Sequence, residues 1–190
     1  MLEYLEMSKI QNIAHLRSGL RKATTIHYFL AAIMAAQLVL YDTGKLIPPE
    51  VVLRRWIALA AQAVAITIVW YISRNRSGQL TTLKKLVATL VISDVAYASF
   101  SIYTQRGMAS RAVVLYVIPI VTAALLARRS AVLATAALSV AAYVTTAIAY
   151  FVLNFNEGYK LELYGEVGFY AAIFVLISAL LWTVSRHEKS

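Results

Sequence analysis

Six apolar runs separated by short polar breaks constrain the fold of this 190-residue chain more than any other feature. They lie at about residues 24–41, 52–73, 86–105, 112–127, 131–153 and 166–185. A helix needs about 20 apolar residues to cross the hydrocarbon core of a bilayer, so each run is close to the length of one crossing. We therefore predict an all-α membrane protein, built as a six-transmembrane helix bundle.

The composition agrees with this fold and excludes several classes of site. Hydrophobic residues make up 61% of the chain and charged residues 14%, against about 45–50% and about 25% in soluble domains. Because the chain contains no cysteine, disulfides, thiolate catalysis and cysteine metal sites are excluded. The sequence has no P-loop, dinucleotide-binding glycine pattern or Ser/His/Asp set, and its three histidines are scattered. We expect no cofactor, no metal site and no catalysis in this chain.

Lysine and arginine are distributed unequally between the two membrane faces that six crossings define. Twelve of them lie on the face shared by both termini and six on the opposite face. Cationic loops resist translocation, so we predict that both termini are cytoplasmic. The net charge of +9 is expected to meet the lipid bilayer and its anionic lipids, and we predict no nucleic-acid partner.

The chain divides into a lead-in of residues 1–23, a transmembrane domain of residues 24–185 and a short tail of residues 186–190. Leu2, Leu5, Ile13, Leu16 and Leu20 fall near one helical face of the lead-in, although Lys9 interrupts that face. Two interpretations remain open, namely an amphipathic helix lying on the membrane surface and a soluble lead-in helix.

Asp94 is the one acidic residue near the middle of an apolar run. A charged carboxylate there costs roughly 2.5–3.5 kcal/mol on insertion scales, so it should not face lipid. Tyr97, Ser101 and Thr104 fall on the same face of the predicted helix. This polar stripe is interpreted either as a ligand contact, proton-coupled group or switch, or as a hydrogen-bonded Asp that ties helices together.

The fifth run carries a second polar stripe, spaced by three or four residues. Its members are Thr135, Ser139, Tyr143, Thr146 and Tyr150. The stripe should face the bundle or a polar cavity; close packing is the alternative for its Ser and Thr residues, and Tyr143 and Tyr150 are the better cavity candidates. Gln62, halfway through the second run, either completes a polar cluster with Asp94 or bonds a neighbouring carbonyl.

Pro119 interrupts the fourth run. Proline has no backbone N–H, so it should free the carbonyl of Leu115 and bend the helix. The bend is interpreted either as a hinge or as a fixed shape held by neighbouring helices.

Three segments then form a recognisable pattern. They are Asp94-Val-Ala-Tyr97, Tyr103-Thr-Gln-Arg-Gly107, and Leu115-Tyr116-Val-Ile-Pro119-Ile followed by Arg128-Arg129. The pattern resembles the amino-terminal six-helix sensor region of bacterial sensor histidine kinases, including the pilus-regulating group, over about residues 85–150. Arg106 and Arg111 depart from the glycine and proline that are common in that family.

The resemblance implies a sensory input domain in the bacterial cytoplasmic (inner) membrane that works as a homodimer. The catalytic domains of such a kinase would follow the sixth helix, so residues 186–190 would begin an exit helix to a missing kinase output domain. The alternative is a stand-alone relative that signals through a cytoplasmic partner in trans. Asp94 would be the sensing centre. Its surroundings would be Gln62, Tyr97, Ser101, Tyr143, Thr146 and Tyr150.

A second hypothesis is transport. Six crossings, cytoplasmic termini and the alanines Ala31, Ala32, Ala35 and Ala36 also resemble the substrate-binding component of energy-coupling-factor vitamin transporters. That component docks its scaffold through small residues. This alternative places a substrate near the outer surface, under the loop at residues 42–55.

Overall fold

The structure is a computed structural model. It describes the backbone of residues 2–75, 79–105, 110–126, 129–154 and 160–187. Within these ranges it describes the side chains of residues 13–74, 79–105, 110–126, 130–154 and 164–183. The described residues are helical apart from short turns and contain no β-strand. The all-helical fold is therefore as predicted.

Six α-helices and one 3-10 helix follow one another along the chain. They are α1 (Leu2–Thr43), α2 (Pro49–Asn75), α3 (Leu80–Thr104), the 3-10 helix (Arg111–Tyr116), α4 (Val117–Leu126), α5 (Arg129–Asn154) and α6 (Lys160–His187). Five of the α-helices contain stretches long and apolar enough to cross a membrane. These stretches indicate a multi-pass membrane protein, whereas the fourth run forms the shorter segment Arg111–Leu126.

The turn between α1 and α2 is set by local backbone chemistry. The N–H of Gly44 donates to the Leu40 carbonyl and that of Leu46 to the Tyr41 carbonyl. Lys45 has a left-handed φ of 49°, as is common just after a helix end. Pro49 then begins α2, because proline suits the first helical position, where no N–H partner is needed.

The chain forms two compact units, Met1–Leu90 and Val91–Ser190, and α3 contributes to both. In the first unit α1 and α2 pack side by side in antiparallel register. The Tyr28 hydroxyl lies 2.8 Å from the Thr67 hydroxyl, and the Arg55 guanidinium lies 5.9 Å from the Tyr41 ring centroid. These contacts are 13 residues apart on α1 and 12 on α2, so the two helices remain paired along this length.

The second unit is built on α5, which packs against both α4 and α6. Tyr116, Tyr143, Phe174 and Ile120 are among its fully buried side chains. Exposed apolar residues such as Val152 and Leu176 cover the outside, as expected for helices that face lipid. Buried polar side chains of this unit include Asp94, Ser101, Ser139 and Ser178, whereas Tyr164 and Phe169 are exposed.

The lead-in does not form a separate element. α1 runs unbroken for 42 residues, about 63 Å at 1.5 Å per residue, so it is far longer than a crossing requires. Leu16 and Leu20 are buried, while the side chains of Leu2, Leu5 and Lys9 lie outside the described residues. At the other end α6 continues to His187, and residues 188–190 lie outside the described residues.

Candidate functional site

A continuous inward seam on α3 carries Asp94. Residues spaced by three or four are buried along it: Leu83, Val87, Leu90, Asp94, Ala98 and Ser101. Asp94 is 5% exposed, and it is engaged in a hydrogen-bond or electrostatic interaction within the protein. Tyr97 and Thr104 flank the seam and are half-buried. The carboxyl group therefore lies among protein atoms.

The polar stripe of α5 is also turned inward. Thr135, Ser139 and Tyr143 are buried, the last two completely, while Thr146 and Tyr150 are half-buried. At its far end the Tyr150 ring meets the Tyr103 ring of α3 edge to face, with 5.8 Å between the centroids. The stripes of α3 and α5 therefore touch directly within the second unit.

Tyr116, the last residue of the 3-10 helix, joins the two stripes a second time. Its hydroxyl lies 2.7 Å from Ser99 Oγ on α3. Ser99 already donates to the Val95 carbonyl at 2.8 Å, so the Tyr116 hydroxyl is the donor to Ser99. Thr146 of α5 makes a further polar contact with Tyr116. The Tyr116 ring packs against the Tyr143 ring with 6.0 Å between centroids.

α6 completes the site with two aromatic side chains. Phe174 lies 5.8 Å from Tyr116 and 5.9 Å from Tyr143 between ring centroids, and Tyr170 lies 5.8 Å from Tyr143. We call Tyr116, Tyr143, Tyr170 and Phe174 the aromatic cluster. Edge-to-face ring pairs each contribute about 0.5–1.5 kcal/mol beyond burial, so the cluster is a substantial cohesive contact between α5, α6 and the 3-10 helix.

Two hydroxyls of α5 have no hydrogen-bond partner among the described residues. They are Tyr143 Oη and Ser139 Oγ, both buried from solvent and one helical turn apart. A buried polar group left unsatisfied costs roughly 1–3 kcal/mol, and native structures contain few of them. In the described part of the second unit, these two hydroxyls are the buried side-chain polar atoms whose desolvation no hydrogen bond within the protein offsets.

The structure places the predicted site residues in both units. Asp94 and Ser101 on α3 and Tyr143 on α5 lie in the second unit, and so do Tyr97, Thr146 and Tyr150. Gln62 is buried in the first unit, so its pairing with Asp94 stays a prediction.

Pro119 is buried and is the third residue of α4. Two residues before it, the helix changes from 3-10 to α, and the Val117 N–H donates to the Val114 carbonyl. This change in helix type was not predicted, and the bend expected at Pro119 stays a prediction. Whether Pro119 acts as a hinge stays a prediction.

Sequence reasoning missed four members of the site: Ser99, Tyr116, Tyr170 and Phe174. Ser99 lies on a different side of α3 from the face that contains Asp94, so the predicted polar stripe did not include it. Tyr170, Phe174 and Ser178 recur every four residues on α6, and Phe174 and Ser178 are buried; this spacing was the available signal. Arg106, Gly107 and Arg128 of the family-like pattern lie outside the described residues.

The described residues contain no group of three His, Asp or Glu side chains placed to hold a metal ion. Their distinctive chemistry is instead a set of hydroxyls and aromatic rings enclosed by apolar helices. No protein-family model, curated protein or solved structure matches this chain.

Proposed function

We propose that this chain is the membrane-embedded sensory input domain of a two-component histidine kinase, acting as a homodimer in the bacterial cytoplasmic membrane. The observation that carries the proposal is the pair of buried hydroxyls on α5, Tyr143 and Ser139, for which the described residues offer no hydrogen-bond partner, near the contact between α5, α6 and the 3-10 helix. Asp94 is the sensing centre, on the helix that reaches the aromatic cluster through Ser99.

A sensor needs two packings of similar free energy and a stimulus that favours one of them. The penalty of roughly 1–3 kcal/mol for each unsatisfied hydroxyl narrows the gap between the resting packing and an alternative in which the hydroxyls find partners. A stimulus that supplies such partners, or that changes the interaction made by Asp94, then shifts the population from the resting packing toward the alternative packing. A gap of a few kcal/mol is the range in which ligands switch proteins.

α6 is the route from the site to the output. It contributes Phe174 and Tyr170 to the aromatic cluster and continues without a break to His187. A rotation or shift of α5 against α6 would therefore displace the end of α6. In the proposed kinase that end leads to the cytoplasmic output domain.

Six crossings with both termini in the cytoplasm complete the proposal. The shortest proposed crossing is Arg111–Leu126, in which six residues are 3-10 and ten are α-helical. A 3-10 helix rises about 2.0 Å per residue against 1.5 Å for an α-helix. The segment is therefore about 27 Å long, close to the roughly 30 Å hydrocarbon core. The twelve-to-six distribution of cations supports the orientation.

A fusion of the whole chain to a reporter histidine kinase tests the proposal. Four fusions that add zero to three linker residues after Ser190 sample the helical phase of the junction. Autophosphorylation is measured in membranes for the parent chain, Asp94→Asn and Tyr116→Phe, with Tyr164→Phe as the matched control because Tyr164 is exposed.

We expect Asp94→Asn and Tyr116→Phe to change basal phosphorylation several-fold in at least one phase, and Tyr164→Phe to leave it unchanged. Equal phosphorylation in all four phases and all variants, at equal protein levels, contradicts the proposal. Co-purification of the unfused chain with an ATP-hydrolysing transport scaffold would favour the transporter alternative instead.

A further inference from the structure

One level of the first unit carries a concentrated positive charge. Exposed cations lie midway along α1, at the end of α2 and at the start of α3: Arg21, Lys22, Arg74, Lys84 and Lys85. Arg21 precedes the Tyr28–Thr67 contact by seven residues, and Arg74 follows it by seven. Because each interval rises about 10 Å, these two arginines lie at the same level of the antiparallel pair.

Lys84 and Lys85 lie on the first turns of α3, which begins five residues after α2 ends. Leu83, Leu86 and Leu90 are buried on the opposite side of these turns, which fixes the rotation of α3 and turns the two lysines outward. The cations are thus carried by packed helices. Their positions are set by the fold of the first unit.

No described acidic side chain of the first unit lies near this charge, and Asp94, nine residues after Lys85 on α3, is buried. Among the described side chains of the first unit the acids are Asp42 and Glu50, both beside the α1–α2 turn. Asp42 is 21 residues from Arg21 along α1, roughly 31 Å at 1.5 Å per residue. That distance is several Debye lengths at physiological salt, so the two acids do not compensate the five cations.

An aromatic pair marks the depth of this surface in a bilayer. The Arg74 guanidinium lies 5.3 Å from the ring centroid of Trp70, one turn earlier on α2, and Tyr71 beside it is 56% exposed. Exposed tryptophan and tyrosine lie at the level of lipid headgroups. The cations therefore meet phosphate groups at the membrane surface.

We propose that this basic surface, formed by Arg21, Lys22, Arg74, Lys84 and Lys85, binds the headgroup of an anionic phospholipid where the end of α2 and the start of α3 lie at the level of the middle of α1. Arg74 offers the planar donor fork that suits phosphate oxygens, and Arg21 lies at its level on the neighbouring α1. A lipid held there would bridge side chains of α1, α2 and α3. This inference concerns a different unit from the sensing site and does not depend on it.

Tryptophan quenching by brominated lipid tests the proposal on the whole chain. Trp56→Phe and Trp182→Phe leave Trp70 as the reporter next to Arg74. The protein is reconstituted in vesicles of phosphatidylcholine and phosphatidylglycerol in which one lipid or the other is brominated. Quenching gives the relative binding constant of phosphatidylglycerol over phosphatidylcholine at Trp70.

We expect this relative binding constant to be on the order of ten and Lys84→Gln/Lys85→Gln to bring it close to one. The matched control Lys45→Gln/Arg54→Gln removes the same charge at the other end of the α1–α2 pair and should leave the constant unchanged. A constant near one in the parent overturns the proposal. So does an equal loss in both double variants.

A separate arm distinguishes lipid from free anion. Sodium phosphate and sodium chloride are compared at equal ionic strength, and equal, modest decreases of the constant support a lipid site through ordinary screening. A much larger decrease with inorganic phosphate means that the surface binds phosphate ions from water, which overturns the lipid proposal.

Discussion

Two buried tyrosines whose rings touch each other differ in what their hydroxyls meet. The Tyr116 hydroxyl has Ser99 as its acceptor at 2.7 Å, whereas the Tyr143 hydroxyl has no partner among the described residues. Both rings are fully buried and pack on Phe174. Removing the hydroxyl from each tyrosine in turn therefore measures what the hydroxyl contributes to stability while the ring stays in place.

Phenylalanine substitutions use this difference. Tyr116→Phe should lower the free energy of unfolding by about 0.5–1.5 kcal/mol, the net value of a buried hydrogen bond. Tyr143→Phe keeps the ring and removes an unsatisfied group, so it should leave stability unchanged or raise it by about 1–3 kcal/mol. Equilibrium unfolding in mixed detergent micelles measures both. A loss for Tyr143→Phe equal to that for Tyr116→Phe would show that its hydroxyl is satisfied.

At the scale of the element, hydrophobic periodicity predicted the long helices and the inward faces that carry Asp94 and Tyr143. The prediction of these faces succeeded because a polar side chain in a membrane helix is costly to expose to lipid and therefore faces the protein interior. Periodicity did not predict the 3-10 form of Arg111–Tyr116, since a change of helix type depends on packing around Tyr116. It also did not reveal that Phe174 meets Tyr116 and Tyr143, because partners across helices depend on tertiary register.

The register of α1 against α2 can be tested by cross-linking. Since the chain has no cysteine, Tyr28→Cys/Thr67→Cys creates a unique pair that a short bismaleimide should join in high yield. The control Phe29→Cys/Thr67→Cys moves one cysteine about 100° around α1, to a position that is 70% exposed. Equal yields from the two pairs would contradict the register.

At the scale of the whole molecule, the proposed topology requires that Arg111–Leu126 crosses the membrane. Six crossings put Ala14 and Thr183, both exposed, on the same side, and five put them on opposite sides. Single cysteines at these positions and at Lys45 are treated with a membrane-impermeant maleimide in intact spheroplasts. We expect labelling at position 45 alone, with all three labelled after lysis. Labelling of either Ala14→Cys or Thr183→Cys in intact spheroplasts would rule out the proposed topology.

The central claim is that the second unit has two packings whose balance depends on the buried hydroxyls of α5. Nitroxide labels on Ile92→Cys of α3 and Leu176→Cys of α6, both exposed positions, report the distance across the aromatic cluster by double electron–electron resonance. We predict two distance populations in the otherwise unchanged chain, with Tyr143→Phe shifting their ratio toward one of them. A single narrow distribution, identical with and without the Tyr143 hydroxyl, would contradict the account.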